Sequence, residues 1–268
     1  MIANKTQRRK CTCCNRKIYC KKMKYIYYPL LKLYAWHCNN CLSQIQDNLQ
    51  NLPENKTKSF LELFSGSRLI SSIAAGEYQY KTFTIDIEPK YKPALCANIQ
   101  YLRLNQIPQR NKIFLVWASL PCTYYTVLNL SNHWKKLPYS FRNYYYIPLS
   151  SEAKASIRLL EKTLWLIRKI NPVYYFIENP RGALRHMAQM KSIPFLHTVS
   201  YNDYGAGIYK PTDIFTNMPG LHLRKLAGSV RKTFPQSVAK MNNSFNRSLV
   251  PSELIHEILH QIEVRHFH

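Results

Sequence analysis

Short apolar runs, each broken off by small or polar residues, set the rhythm of this chain. Phe60-Leu-Glu-Leu-Phe64 stops at Ser65-Gly66-Ser67, and Val173-Tyr-Tyr-Phe-Ile177 stops at Glu178-Asn179-Pro180. Between them, Phe114-Leu-Val-Trp-Ala-Ser-Leu-Pro-Cys122 ends on a thiol. Continuous rather than alternating runs of this length predict strands buried on both faces of a sheet. Tyr80-Lys-Thr-Phe-Thr-Ile-Asp86 and Phe195-Leu-His-Thr-Val-Ser-Tyr201 predict two more. Residues 151–170 carry apolar positions at three- and four-residue spacing, with Ser151 to cap the helix and Asn171-Pro172 to stop it. Further helices are expected through Ile70 and Ala74–Ala75, and from Ser252 onward. Strands alternating with helices predict an α/β fold made of βαβ-type units.

The strand ends carry the chemistry. In open α/β sheets ligands sit outside the carboxyl ends of the strands. A lone cysteine after a strand is usually packing; here a thiol, a carboxyl and a small-residue turn share that edge. The glycine of Ser65-Gly66-Ser67 lets a ligand approach the backbone, and Asp86 ends the next strand 20 residues later. That spacing suits a carboxylate accepting hydrogen bonds from ribose hydroxyls, so an adenosine-type cofactor is expected. Residues 123–150, rich in aromatic and basic side chains, read as a lid or binding loop beside the thiol. Packing of Tyr144–Tyr146 into the core is the alternative.

Charge and cysteines extend this picture. Lys and Arg outnumber Asp and Glu by 38 to 14, a formal net charge of +24. So large an imbalance points to a polyanionic partner, nucleic acid ahead of a membrane surface. No apolar run reaches the ~20 residues of a spanning helix, and the first residues lack an apolar signal core. A reducing, intracellular compartment is therefore expected, with the eight cysteines as thiols or metal ligands. Cys11-x-x-Cys14 and Cys38-x-x-Cys41 have the spacing that closes a tetrahedral Zn²⁺ shell, with Cys13 and Cys20 as possible substitutes. The expected organisation is a basic zinc-binding module over 1–45, a linker over 46–58, and the α/β domain over 59–268.

With these residues in view, the chain resembles the cytosine-C5 DNA methyltransferases, most of all their compact phage and viral forms. The resemblance covers about residues 58–266. It rests on Leu61-Glu-Leu-Phe-Ser-Gly66, Asp86, Ser119-Leu-Pro-Cys-Thr123, Phe176-Ile-Glu-Asn-Pro180, Lys210-Pro-Thr-Asp-Ile214 and Arg247-Ser-Leu-Val-Pro251, in that order. It implies a Rossmann-like, S-adenosylmethionine-dependent methyltransferase core, active as a monomer on double-stranded DNA with the target cytosine flipped out. RNA is the alternative substrate, and a methyltransferase-like DNA-binding protein without turnover the alternative function. By resemblance, Cys122 attacks the base, Glu178 serves its N3, and Asn179 and Pro180 fix both. Phe64, Ser65, Gly66, Ser67, Asp86, Asn98, Pro121 and Ser248 would hold the cofactor. Thr123, Arg181, Lys210 and Thr212 would face nucleic acid, and 218–246 would be a short target-recognition segment. Some positions depart from the pattern. Arg68 stands where a second glycine is common and Asn98 where an acid is common. Asp203, Ile208 and Tyr209 occupy the segment where relatives carry Gln and Arg, leaving Lys210 its only cation.

Overall fold

A computed structural model describes residues 57–127, 129–140, 143–224 and 249–267, side chains of 138–140 and 143–144 excepted, together with the backbone of four earlier strands. Those four are β1 (Arg8–Lys10), β2 (Lys17–Tyr19), β3 (Met23–Tyr28) and β4 (Leu33–Cys38). They pair as two antiparallel hairpins, with Met23 opposite Cys38 in the second. Cys11, Cys13, Cys14, Cys20 and Cys41 lie outside the described residues, as does the side chain of Cys38.

From Ser59 the chain runs β5 (Ser59–Leu63), α1 (Leu69–Gly76), β6 (Lys81–Asp86), β7 (Leu95–Cys96), β8 (Leu115–Ser119), α2 (Leu130–His133), β9 (Trp134–Ser140) and β10 (Asn143–Pro148). It continues as α3 (Ser151–Ile170), β11 (Tyr174–Pro180), β12 (Phe195–Ser200), β13 (Pro211–Thr216) and α4 (Ser252–His266). One seven-stranded sheet has the order β12-β13-β11-β8-β5-β6-β7. Strands β7, β6, β5, β8 and β11 are mutually parallel, and β13 runs antiparallel to both β11 and β12. Numbered in chain order, the parallel strands read 3-2-1-4-5, the doubly wound arrangement. Its order reverses between β5 and β8, where a crevice opens at the carboxyl ends.

Both faces of the sheet are covered, which is why its strands lack polar alternation. Leu61, Leu63, Val116, Ala118 and Ile177 point to one side, against Leu160, Leu164 and Ile167 of α3. Phe60, Leu115, Trp117 and Phe176 point to the other, against Ile70 and Ile73 of α1 and Leu254, Ile258 and Ile262 of α4. Helix α3 has the bounds its periodicity predicts, but the cap is Ser150, whose Oγ accepts from the Ala153 amide at 3.1 Å. Asn171 ends it at a φ of 48°, a left-handed conformation Asn tolerates better than most residues. Within residues 123–150, expected to form a lid or binding loop, Trp134–Ser140 and Asn143–Pro148 pair as a hairpin. Its inner side packs Trp134 and Tyr146 on the core, while Tyr145 and Ile147 are exposed. Met218 and Leu221, at the start of the 218–246 segment, are buried beside α4; residues 225–248 lie outside the described residues. Among the described residues no helix is long and apolar enough to cross a membrane.

Candidate active site

A cleft with about 680 Å³ of empty space, open to solvent, lies over the ends of β5 and β8. One wall is the turn that follows β5. Phe64, Gly66 and Arg68 all take left-handed φ values, 60°, 45° and 60°. Gly66 is there for conformation rather than room, because a Cβ would meet nothing within 4 Å. Phe64 and Arg68 bear the strain of that geometry, roughly 1–2 kcal/mol each for residues with a Cβ. Hydrogen bonds hold the turn in place. The Ser65 amide donates to the Ile85 carbonyl at 3.1 Å, and the Gly66 amide to Asp86 Oδ2 at 2.8 Å. Asp86 Oδ1 also accepts from the Glu88 amide at 2.9 Å. The carboxylate therefore clamps two strand-end turns together, a role its spacing alone did not reveal.

One residue of this wall escaped the sequence reading. Glu62 is buried within β5, lines the cleft, and accepts from the Ser71 amide in the first turn of α1 at 3.1 Å. Burial is the main cause that pushes its pKa up to about 7; the neighbouring charge of Asp86 adds to the rise, and Ser71 and Arg68 oppose it. The signal was an acid inside an otherwise apolar run. Ile87, next to Asp86, leaves 57% of its surface exposed, and neither it nor Asp86 nor Asn98 is among the residues lining the cleft. Asn98 caps a 3-10 turn there by accepting from the Gln100 amide at 2.9 Å.

The opposite wall is built from β8 and β11. Their parallel register sets Glu178 level with Ser119, so Leu120-Pro121-Cys122 leaves the sheet beside the carboxyl. Cys122 and Glu178 both line the cleft, with Ser119, Pro121 and Pro180. Asn179 lies behind them, fully buried, and its Nδ2 donates to the Leu120 carbonyl at 2.9 Å, fixing the approach to the thiol. After Cys122 the chain turns sharply, since the Cys122 carbonyl accepts from the amides of Tyr125 and Thr126 at 2.9 and 3.0 Å. That turn docks on the segment after β11. Ala183 donates its amide to the Tyr125 carbonyl at 2.8 Å, and a Cβ on Gly182 would lie 2.0 Å from the same oxygen. Only glycine permits the approach.

The floor comes from the end of β12 and the start of β13. Tyr201 is completely buried and donates its hydroxyl to Glu178 Oε1 at 2.7 Å. Burial first, then the Glu178 charge, hold the phenol far above its usual pKa, so it remains a donor. Lys210, also buried, lines the cleft with its ammonium 4.5 Å from the centre of the Tyr201 ring. Tyr201 is a second residue the sequence reading missed. Thr123 and Arg181 are exposed at the rim, whereas Thr212 is buried, its hydroxyl donating to the Lys210 carbonyl at 3.2 Å. Leu249 and Val250 complete the lining beside the turn, and Ser248 lies outside the described residues. Asp203, Ile208 and Tyr209 are not among the lining residues; Ile208 is buried in the core. Among the described residues no three His, Cys, Asp or Glu side chains cluster as metal ligands.

No family model matches the chain, and no curated protein matches its sequence. Among solved structures it is similar to the Dnmt2 methyltransferase of S. pombe, at 17% identity over 60% of this chain and 52% of that one, with a TM-score of 0.40. It is also similar to the methyltransferase subunit of a type I restriction-modification system from Streptococcus thermophilus, at 12% identity over 92% of this chain and 54% of that one, with a TM-score of 0.39. The chain thus spans about half the length of each.

Proposed function

We propose that this chain is a cytosine-C5 methyltransferase acting on double-stranded DNA with S-adenosylmethionine as donor. The observation that carries the proposal is that Cys122 and Glu178, from neighbouring parallel strands, line one cleft against a glycine turn at the switch point of the sheet. A buried Ser65 Oγ without a hydrogen-bond partner in that turn fits a polar ligand group there. The cofactor, when bound, supplies a sulfonium-activated methyl group. Phe64, Ser65, Gly66, Ser67 and Pro121 would hold it, with Asp86, Ile87 and Asn98 at the outer edge.

What remains for the protein is to make C5 of cytosine nucleophilic, which an electron-poor aromatic ring does not favour. The Cys122 thiolate bonds through Sγ to C6, and the C5=C6 electron pair shifts toward N3, where Glu178 donates a proton. C5 is then the nucleophilic carbon of an enamine. Once C5 carries the methyl, water entering the open cleft takes its proton, the C5=C6 bond re-forms, and the C6–S bond breaks to release the Cys122 thiolate. N3 returns its proton to Glu178. Lys210 places a positive charge among these anionic groups. Flipping the base costs a few kcal/mol of unstacking; Thr123, Arg181 and the exposed Lys135, Lys136 and Tyr145 of the hairpin are placed to offset it.

Tritium transfer from labelled cofactor to DNA and to RNA, with Cys122→Ser as control, tests the reading. Transfer to DNA is expected, with a covalent adduct at Cys122 on a duplex containing 5-fluorocytosine. Transfer to RNA alone would reassign the polymer. Binding of DNA and cofactor with neither transfer nor adduct would leave a DNA-binding protein without turnover. For residues 1–45 we propose one structural zinc on Cys11, Cys14, Cys38 and Cys41, the soft tetrahedral donor set zinc prefers. Metal analysis of a Cys38→Ser, Cys41→Ser double variant should show its loss, and full retention would refute the ligand set.

A further inference from the structure

Beneath the cleft lies a buried tyrosine to which the reaction above gives no task. Tyr201 opens the 3-10 turn Tyr201–Tyr204, and its amide donates to the Lys210 carbonyl at 3.2 Å, so its backbone is tied to the start of β13. Its ring lies in the same apolar cluster as Trp117, Phe176 and Ile214. The side chain therefore has no room to swing. Its hydroxyl reaches Glu178 Oε1 at 2.7 Å, while the ring face carries the Lys210 ammonium at 4.5 Å.

We infer that Tyr201 is a positioning residue for Glu178: by donating to Oε1 it fixes the carboxyl plane and leaves Oε2 as the oxygen that exchanges a proton with the substrate. This rests on the methyltransferase reading above. The chemistry is directional. A phenol whose proton is held by burial and by an adjacent carboxylate donates that proton to the carboxylate. Oε1 is thereby an acceptor in both states of Glu178, as part of a carboxylate or as the carbonyl oxygen of an acid. A cation over the ring face draws electron density from the phenol and strengthens its O–H as a donor. Without that hydrogen bond, either oxygen could take the proton and the carboxyl could rotate away from the base. The titratable groups that share this pocket with Glu178 are Tyr201 and Lys210 on the floor, Cys122 after β8, and Glu62 across the cleft on β5.

Tyr201→Phe removes the hydroxyl and keeps the ring beneath Lys210. The expected result is a kcat lowered about 10- to 100-fold, the range for a hydrogen bond to a charged group, with KM for DNA and cofactor within about twofold of wild type. The alkaline limb of the kcat–pH profile should move upward, because a donor to the carboxylate has gone. An infrared titration of the carboxyl C=O band, assigned with Glu178→Gln, should move the same way in the protein without substrate. In a Glu178→Gln background, Tyr201→Phe should add nothing to the loss of kcat. Should Tyr201→Phe fail to fold by thermal melt, fluorotyrosine at position 201 keeps the hydroxyl, makes it a stronger donor, and should move the alkaline limb downward. An active wild type whose pH limb and kcat ignore both changes overturns this inference and leaves the methyltransferase reading standing. A wild type that transfers no methyl group to any nucleic acid removes both.

Discussion

The two walls of the cleft are built in different ways. The β5 wall is a local device: the turn after one strand, clamped by a carboxylate 20 residues along the chain. It works through backbone, with three left-handed residues and amides aimed at fixed acceptors. The wall opposite is assembled from four strands, and it works through side chains. Cys122 follows β8, Glu178 ends β11, Tyr201 follows β12 and Lys210 precedes β13. Backbone turns suit a part of the site that must only bind, since their shape is set before any ligand arrives. In the proposed reaction the opposite wall must also exchange protons, which needs side chains, and low dielectric around them to set their charge.

Breaking the side-chain wall should have the larger consequences. Cys122→Ser is expected to lower methyl transfer about 10³-fold or more, as loss of a covalent nucleophile does. Its melting temperature should stay near wild type, because the side chain is only half-buried. Gly182→Ala should come next, costing more than about 3 kcal/mol in a urea melt. The new Cβ would stand 2.0 Å from the Tyr125 carbonyl, so either the thiol turn or the Glu178 strand must move.

The backbone wall should be felt through pH. The folded pKa of Glu62, about 7, lies above its ordinary 4.5, so the folded chain holds this proton more tightly than the unfolded one. Its contribution to stability is complete below pH 4.5 and is lost as pH rises through about 7, a change on the order of 3 kcal/mol. Urea melts of wild type and Glu62→Gln at pH 5 and 7.5 should therefore differ, with the variant gaining on wild type at the higher pH. Equal stability at both values would show that this acid does not titrate as described. The smallest effect is expected at Arg68. Its φ of 60° is one that glycine adopts at little cost, so Arg68→Gly should raise stability by about 0.5–1 kcal/mol. A loss instead would mean that the side chain holds the turn.

The same division explains what could be read along the chain. The turn, Asp86 and the thiol and carboxyl strands announce themselves by short-range pattern, as does α3 with its 3.6-residue periodicity. The hairpin of residues 134–148 does not. Trp134-Lys-Lys-Leu-Pro-Tyr-Ser140 has Pro138 inside it and no clean alternation, so only its pairing with Asn143–Pro148 makes it a strand. Glu62 was hidden for the opposite reason, one acid in an apolar strand, with its partner Ser71 on the next helix.

By itself the sequence determined the α/β class and which strands end in the thiol and the acid that line the cleft. Those follow from burial of continuous apolar runs and from residue type, both local properties. Tertiary structure alone decided that Glu178 lies level with Ser119, that Asp86 is a clamp on Gly66, and that Tyr201 and Lys210 form the floor. Sheet order and strand register bring together residues far apart in sequence, Gly66 with Asp86 at 20 positions and Ser119 with Glu178 at 59. No periodicity along the chain encodes such neighbours, because they depend on which strands find each other when the core closes.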